Sequence, residues 1–215
     1  TVCYYYSYAS MDIPIMNEEL IFVTGVPGSK WSGFSQEFRD TWPDIDNSDC
    51  ADPRKRYTHN DFSGHKGNYY GPNDLYGNWL DEGFGTREQW LWEIGRSFTG
   101  DNPVKLILSH NFAYYLEDLK TQFPESKIVM CYRPDRESYE WRHQAGGWEI
   151  HYPDYTWYID NVTMRQEIMK QNKAMLAFAE ANNVEFTRPD VDFFRTHFDR
   201  DIDFTFDKDV DVAVV

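Results

Sequence analysis

The sequence predicts an α/β domain, a three-layer sandwich on a central parallel sheet. Three observations lead there. Apolar, β-prone runs at residues 20–24, 104–109 and 127–132 alternate with segments of helical spacing, the pattern of parallel strands joined by crossover helices. The run KIVMCY at 127–132 is short and nearly all apolar, as strands covered on both faces are. The run at 20–24 passes through a Gly- and Pro-containing loop straight into a helix-spaced segment. A strand, a tight loop and a helix start in that order make a place for an anion.

The elements follow in order. Residues 1–19 open with a Tyr-rich stretch and read as an arm. After the strand at 20–24 comes a helix at 34–41, where Phe34 and Phe38 lie four apart and Pro43 stops the run. Residues 43–85 form a long insertion rich in Gly, Asn, Asp and Pro, and connections of this length are often binding loops or lids. Its basic cluster Arg54, Lys55 and Arg56 reads as a solvated turn or a contributor to anion binding. His59, Asp61 and His65 are spaced too loosely to predict a metal site. Helical spacing returns at 86–98, where Thr86 and Gln89 form a capping box ahead of Trp90, Leu91 and Ile94. A strand at 104–109, a helix at 112–123 ended by Pro124, the strand at 127–132 and a helix at 135–145 come next. A long helix spans 161–182, with Asn161 as its expected N-cap rather than a glycosylation site. A last strand is predicted at 184–187. The tail 190–215 alternates Asp with Phe, Val and Ile and reads as a short edge structure or a trailing end. No internal repeat is present.

Composition bounds the function. A chain of 215 residues with 41% hydrophobic and 18% aromatic residues can bury a sizeable core in one domain, residues 1–215. A net charge of -15 argues against nucleic acid or an anionic membrane as partner. An acidic protein that binds an anion must therefore place its cations locally. Cys3, Cys50 and Cys131 are odd in number and far apart, so no disulfide framework is expected, and Cys131 reads as a buried thiol. No run reaches the roughly 20 apolar residues of a membrane span. No signal-peptide pattern opens the sequence, so a soluble, cytoplasmic protein is expected; the start at Thr1 leaves a removed targeting segment open.

The chemistry concentrates at three strand ends. The loop 25–32 carries Ser29, Lys30 and Ser32 at a helix N-terminus, where backbone N–H groups and the helix dipole favour an anion. His110 and Arg133 each lie just past a strand, and ligands of parallel sheets bind outside the carboxyl ends of the strands. The loop is P-loop-like but departs from the Walker A pattern: Lys30 follows Ser29, and Trp31 separates it from Ser32. No strand ends in an Asp placed to hold Mg²⁺.

These residues resemble the sulfotransferases that use 3′-phosphoadenosine 5′-phosphosulfate (PAPS). The phosphosulfate loop of that family often reads G-V-P-[KR]-S-G-T-[ST]; here it reads Gly25-Val26-Pro27-Gly28-Ser29-Lys30-Trp31-Ser32. The usual basic residue is replaced by Gly28 and the usual Gly by Lys30. Ser109-His110, the intervening helix and the strand ending at Arg133 repeat the family's order at similar spacing. The resemblance covers about residues 20–41 and 104–141. It implies that Pro27, Gly28, Ser29, Lys30, Trp31 and Ser32 bind the phosphosulfate, with Lys30 at the reacting group. It further implies that Arg133 holds the 3′-phosphate and that His110 is the general base on an acceptor hydroxyl or amine. The family's Ser eight residues after this Arg is Trp141 here; Ser138 takes its place, with Arg136 or Arg142 assisting. The family's Gly-rich basic motif near the C-terminus is not visible. PAPS is then the donor, 3′-phosphoadenosine 5′-phosphate (PAP) the product, no metal is required, and the acceptor is a small molecule or glycan. Clustered Trp and Tyr residues read mostly as core, with a few available to an acceptor or to adenine. Two alternatives stand beside this reading: a P-loop kinase acting on a small molecule or nucleotide, and an inactive nucleotide-binding protein of the same fold.

Overall fold

The computed structural model describes residues 18–46, 68–69, 83–98, 100–146, 160–204, 206 and 209–215. The basic cluster at 54–56, the trio His59, Asp61 and His65, and most of the insertion at 43–85 lie outside the described residues, as do Cys3 and Cys50. Most of the Trp and Tyr residues grouped with the insertion do too.

Strands β1 (Glu19–Gly25), β2 (Asn68–Tyr69), β3 (Val104–Leu108), β4 (Lys127–Tyr132) and β5 (Asp211–Val214) form one sheet in the order β2-β3-β1-β4-β5. The β1, β3 and β4 strands fall where the apolar runs predict. β1 is central and pairs in parallel with β3 and β4, Phe22 opposite Ile107 and Ile128. The sheet is mixed rather than purely parallel, because β5 runs antiparallel to β4, with Cys131 opposite Val212. β5 also replaces the strand expected at 184–187: there Thr187 makes one bridge to Val212, and no strand forms. Burial explains the difference. Val210, Val212 and Val214 are buried in one cluster and Ala213 in the other, whereas Val184 and Phe186 are only half-buried.

Period-two alternation divides the core. Leu20 and Phe22 of β1, with Ile107, Ile128 and Met130, face one apolar cluster, while Ile21 and Val23, with Leu106, Leu108, Val129 and Cys131, face another. The first cluster is completed by α2 (Arg87–Ser97), α3 (Leu116–Gln122) and α5 (Asn161–Ala181), through Trp90, Leu119 and Met175 among others. The second is completed by α1 (Trp31–Thr41) and α6 (Val191–Phe198), through Phe34, Phe38 and Phe194. Helix α6 was not foreseen. It brings Phe194 edge-on to Phe38, with ring centres 4.8 Å apart, and Phe204 and Phe206 close on Phe34 at 5.7 and 5.9 Å. Edge-to-face packing of this kind adds to simple burial. Burial in β4 pushes the Cys131 thiol far up, so it stays protonated as the core residue expected.

Three further boundaries differ from expectation. α1 begins at Trp31 rather than Phe34, because Lys30 O already accepts from Phe34 N–H at 3.1 Å. The helix expected at 112–123 is split. A 3₁₀ turn spans His110–Tyr114, where Ser109 Oγ accepts from Asn111 N–H, and α3 follows after a break at Tyr115. α5 is capped by Asp160 rather than Asn161: its carboxylate accepts from the N–H groups of Val162 and Thr163, both at 2.8 Å. α4 (Asp135–Gln144) matches its prediction.

The capping box of α2 is present as the sequence implies, with Thr86 Oγ1 accepting from Gln89 N–H and Gln89 Oε1 from Thr86 N–H. Thr86→Ala is expected to cost about 1 kcal/mol, a fall in Tm of roughly 2–4 °C for a domain of this size. An unchanged thermal melt would show that α2 does not depend on its cap. At the amino end of the sheet, Lys105 is 2% exposed and its ammonium pairs with Asp46 at 2.5 Å and donates to Gly100 O at 3.0 Å. That pair fastens the chain leaving α1 to β3. Among the described residues, no helix is long and apolar enough to cross a membrane.

Candidate anion site at the strand ends

The topology creates the site. The chain leaves β1 through α1 onto one face and leaves β3 through α3 onto the other, and the step from β3 to β4 passes over β1. The carboxyl ends of β1 and β4 therefore border the crevice where such sheets bind ligands.

The loop out of β1 begins with a tight turn. Ser29 N–H donates to Val26 O at 3.0 Å, and Gly28 has φ +83. With Pro27 and Gly28 at its central positions, this is a type II turn. It is the form taken by the Gly- and Pro-containing loop expected there. Gly28 is doubly constrained: a Cβ there would lie 1.8 Å from Ser138 O and 3.0 Å from Arg142 N. The loop thus presses its backbone against the first turns of α4. A lysine cannot occupy position 28, and the basic residue stands two places later.

Lys30 follows as the N-cap residue of α1. The Lys30 side chain makes no cap hydrogen bond and no acidic residue lies in the first turn of this helix of 11 residues, so no carboxylate of the helix's own first turn offsets its dipole. Ser29 is 0% exposed, and its hydroxyl has no hydrogen-bond partner among the described residues. It lies over Gly25, where a Cβ would meet it at 2.7 Å. A buried hydroxyl left without a partner is costly unless something else supplies one. Trp31 is 4% exposed and belongs mainly to the core, whereas Ser32 on the first turn of α1 is half-buried.

His110 and Arg133 both reach this loop. His110 Nδ1 is hydrogen-bonded to Gly25 O; a carbonyl only accepts, so Nδ1 carries the proton and Nε2 is the acceptor nitrogen of the neutral ring. The imidazole is 3% exposed and lies edge-on to Trp31, with centroids 4.6 Å apart. That edge contact was not legible in the sequence. Arg133 Nη1 donates to Gly28 O at 3.3 Å and to Glu137 O at 2.9 Å, and its Nε is buried without a partner among the described residues. The end of β4 is braced in turn, because Arg133 O accepts from Ser138 Oγ at 3.1 Å and from Asn172 Nδ2 at 2.9 Å. Ser138 therefore spends its hydroxyl on the strand end. Asn172, which also donates to Asp135 at 2.7 Å, belongs to this arrangement and was not singled out beforehand. Arg142 is buried beside the loop, while Arg136 is exposed and pairs with Glu140 on α4.

The opposing charges lie close by. The Arg188 guanidinium, hydrogen-bonded to Asp209, holds that carboxyl below the usual range, and Arg133 and Lys30 act in the same direction. Arg188 Nε also meets Asp211 at 3.0 Å. Among the described residues, no three His, Cys, Asp or Glu side chains group closely enough to hold a metal ion. What the arrangement offers chemically is a set of donors on an anion and an imidazole of fixed tautomer. No family model, curated protein or solved structure matches this chain.

Proposed function

We propose that the chain is a PAPS-dependent sulfotransferase, a three-layer α/β sandwich whose P-loop-like strand–loop–helix binds the phosphosulfate. One observation carries the reading: His110 and Arg133, far apart in sequence, both hydrogen-bond to backbone carbonyls of the Gly25–Gly28 stretch. The donor residues suit the ligand. Ser29, Lys30 and the first turn of α1 bind the 5′-phosphosulfate, with Pro27 and Gly28 shaping the turn and Trp31 and Ser32 opening the helix. Arg133, steadied by Ser138, takes the 3′-phosphate.

Transfer then depends on positioning and fixed charge. His110 Nε2 takes the proton of an acceptor hydroxyl or amine as the new bond to sulfur forms and the sulfur–oxygen bond to the 5′-phosphate breaks. Lys30 stabilises the charge left on that phosphate, and PAP departs. The burial of His110 requires the acceptor to enter the crevice, which keeps bulk water away. The acceptor is a small molecule or glycan, and the working location is the cytoplasm. A net charge of -15 disfavours nucleic acid and anionic membranes as partners.

One observation favours a second reading. The loop departs from the family order, with Gly28 where a basic residue is usual and Lys30 where Gly is usual, which also suits a nucleotide-binding protein of this fold without transfer activity. Thermal denaturation separates these readings and the kinase alternative. PAP at 100 times its Kd is expected to stabilise the protein by about 2.7 kcal/mol, a rise of roughly 5–10 °C. Stabilisation by ATP with Mg²⁺ and not by PAP would overturn the sulfotransferase reading in favour of a kinase. Binding of PAP with no sulfate transfer to any acceptor would leave the non-catalytic reading.

A further inference from the structure

Trp141 stands out among the large apolar side chains because it is 43% exposed beside a loop whose other aromatic, Trp31, is buried. It lies one turn after Ser138 on α4, the residue against which Gly28 is pressed. The same close approach that excludes a side chain at position 28 therefore sets the distance between the loop and this ring. Lys30 spans that distance, with Nζ 4.7 Å from the centroid of Trp141. Its backbone at φ 63 is a conformation that costs a non-Gly residue free energy, and it starts α1 beside the buried hydroxyl of Ser29, which has no partner among the described residues.

We propose that Trp141 is a positioning residue that holds the Lys30 ammonium at the mouth of the loop for the anionic group of the nucleotide. A lysine on a flexible four-carbon stem loses rotamer freedom when it binds an anion. A ring face that already holds the ammonium removes part of that loss. Contact through the π face leaves the ammonium hydrogens able to reach a phosphate or sulfate oxygen. The inference rests on the reading of the loop as a nucleotide phosphosulfate site, and it adds a residue at a position where the family resemblance offers a serine instead.

The test is a set of PAP titrations by calorimetry on the wild type, Trp141→Ala, Trp141→Phe, Lys30→Met and the double variant Lys30→Met with Trp141→Ala. Far-ultraviolet circular dichroism and Tm are recorded for each. Trp141→Ala is expected to weaken PAP binding about three- to tenfold without changing the fold. Trp141→Phe, which keeps a ring, should restore most of it. In the Lys30→Met background the loss of Trp141 should change the affinity less than about twofold. Unchanged binding by Trp141→Ala would overturn the inference while leaving the sulfotransferase reading in place. Equal losses with and without Lys30 would also overturn it, because the ring would then act on the ligand directly. Failure of the folded wild type to bind PAP would sink both.

Discussion

Gly28→Lys, which on paper brings the loop nearer to the usual order of the phosphosulfate motif, is expected to abolish PAP binding. The cause is the β-carbon and not the charge. At position 28 a Cβ would fall 1.8 Å from the carbonyl oxygen of Ser138, a backbone atom in α4 that no side-chain rotation can move. The residue would also have to adopt φ +83, which glycine alone adopts at little cost. Strain and contact together should destabilise the protein by about 3–5 kcal/mol, or lower Tm on the order of 10 °C. Gly28→Ala should do nearly as much damage, because it carries the same β-carbon. Calorimetric melts and PAP titration of both variants check this. Tighter binding by Gly28→Lys would show that the loop can move off α4 and that the pressed geometry is not the binding form.

The second large effect concerns the proton. His110→Ala is expected to lower sulfate transfer by about 10²–10⁴-fold, the usual contribution of a general base, while the affinity for PAP changes only a few-fold. His110→Asn sharpens the test: an amide N–H can take the place of Nδ1–H on the Gly25 carbonyl, yet nothing replaces Nε2. This variant should bind PAP like the wild type and still not turn over. If His110→Ala and His110→Asn both lose turnover and only the first loses binding, His110 is a base and also a brace for the loop. Full activity in His110→Asn would remove the imidazole from the chemistry.

The parts of this molecule that local pattern determines were legible from the residues. β1, β3 and β4 announce themselves as apolar runs. The Thr86 box marks the start of α2, and the placement of His110 and Arg133 just past strands puts both near the loop. What stayed hidden depends on contacts between distant segments. Nothing near Gly28 in the sequence says that Ser138 presses on it, and so the displacement of the basic residue to Lys30 looked like a departure without a cause. The edge contact of Trp31 with His110 needs β1 and β3 side by side before it exists. The tail was legible only in part for a similar reason: the short edge structure expected there is β5, but α6 was not foreseen. Its phenylalanines find partners on α1, far earlier in the chain, and β5 pairs with β4 in the direction opposite to its neighbours. The turn at Val26–Ser29, by contrast, was readable from Pro-Gly alone.

The position of β5 and α6 bears on how the chain is made. Strand β4 has β1 on one side and β5 on the other, and the face carried by α1 closes only when Phe194, Phe204 and Phe206 settle on Phe34. During synthesis, residues 191–214 emerge after every other element of the sheet. Until then one edge of β4 is open to pairing, and the rings of α1 lack their cover. The nascent chain should therefore hold a half-finished core at the ribosome, and a chaperone that masks apolar surface would meet it there, on the α1 face.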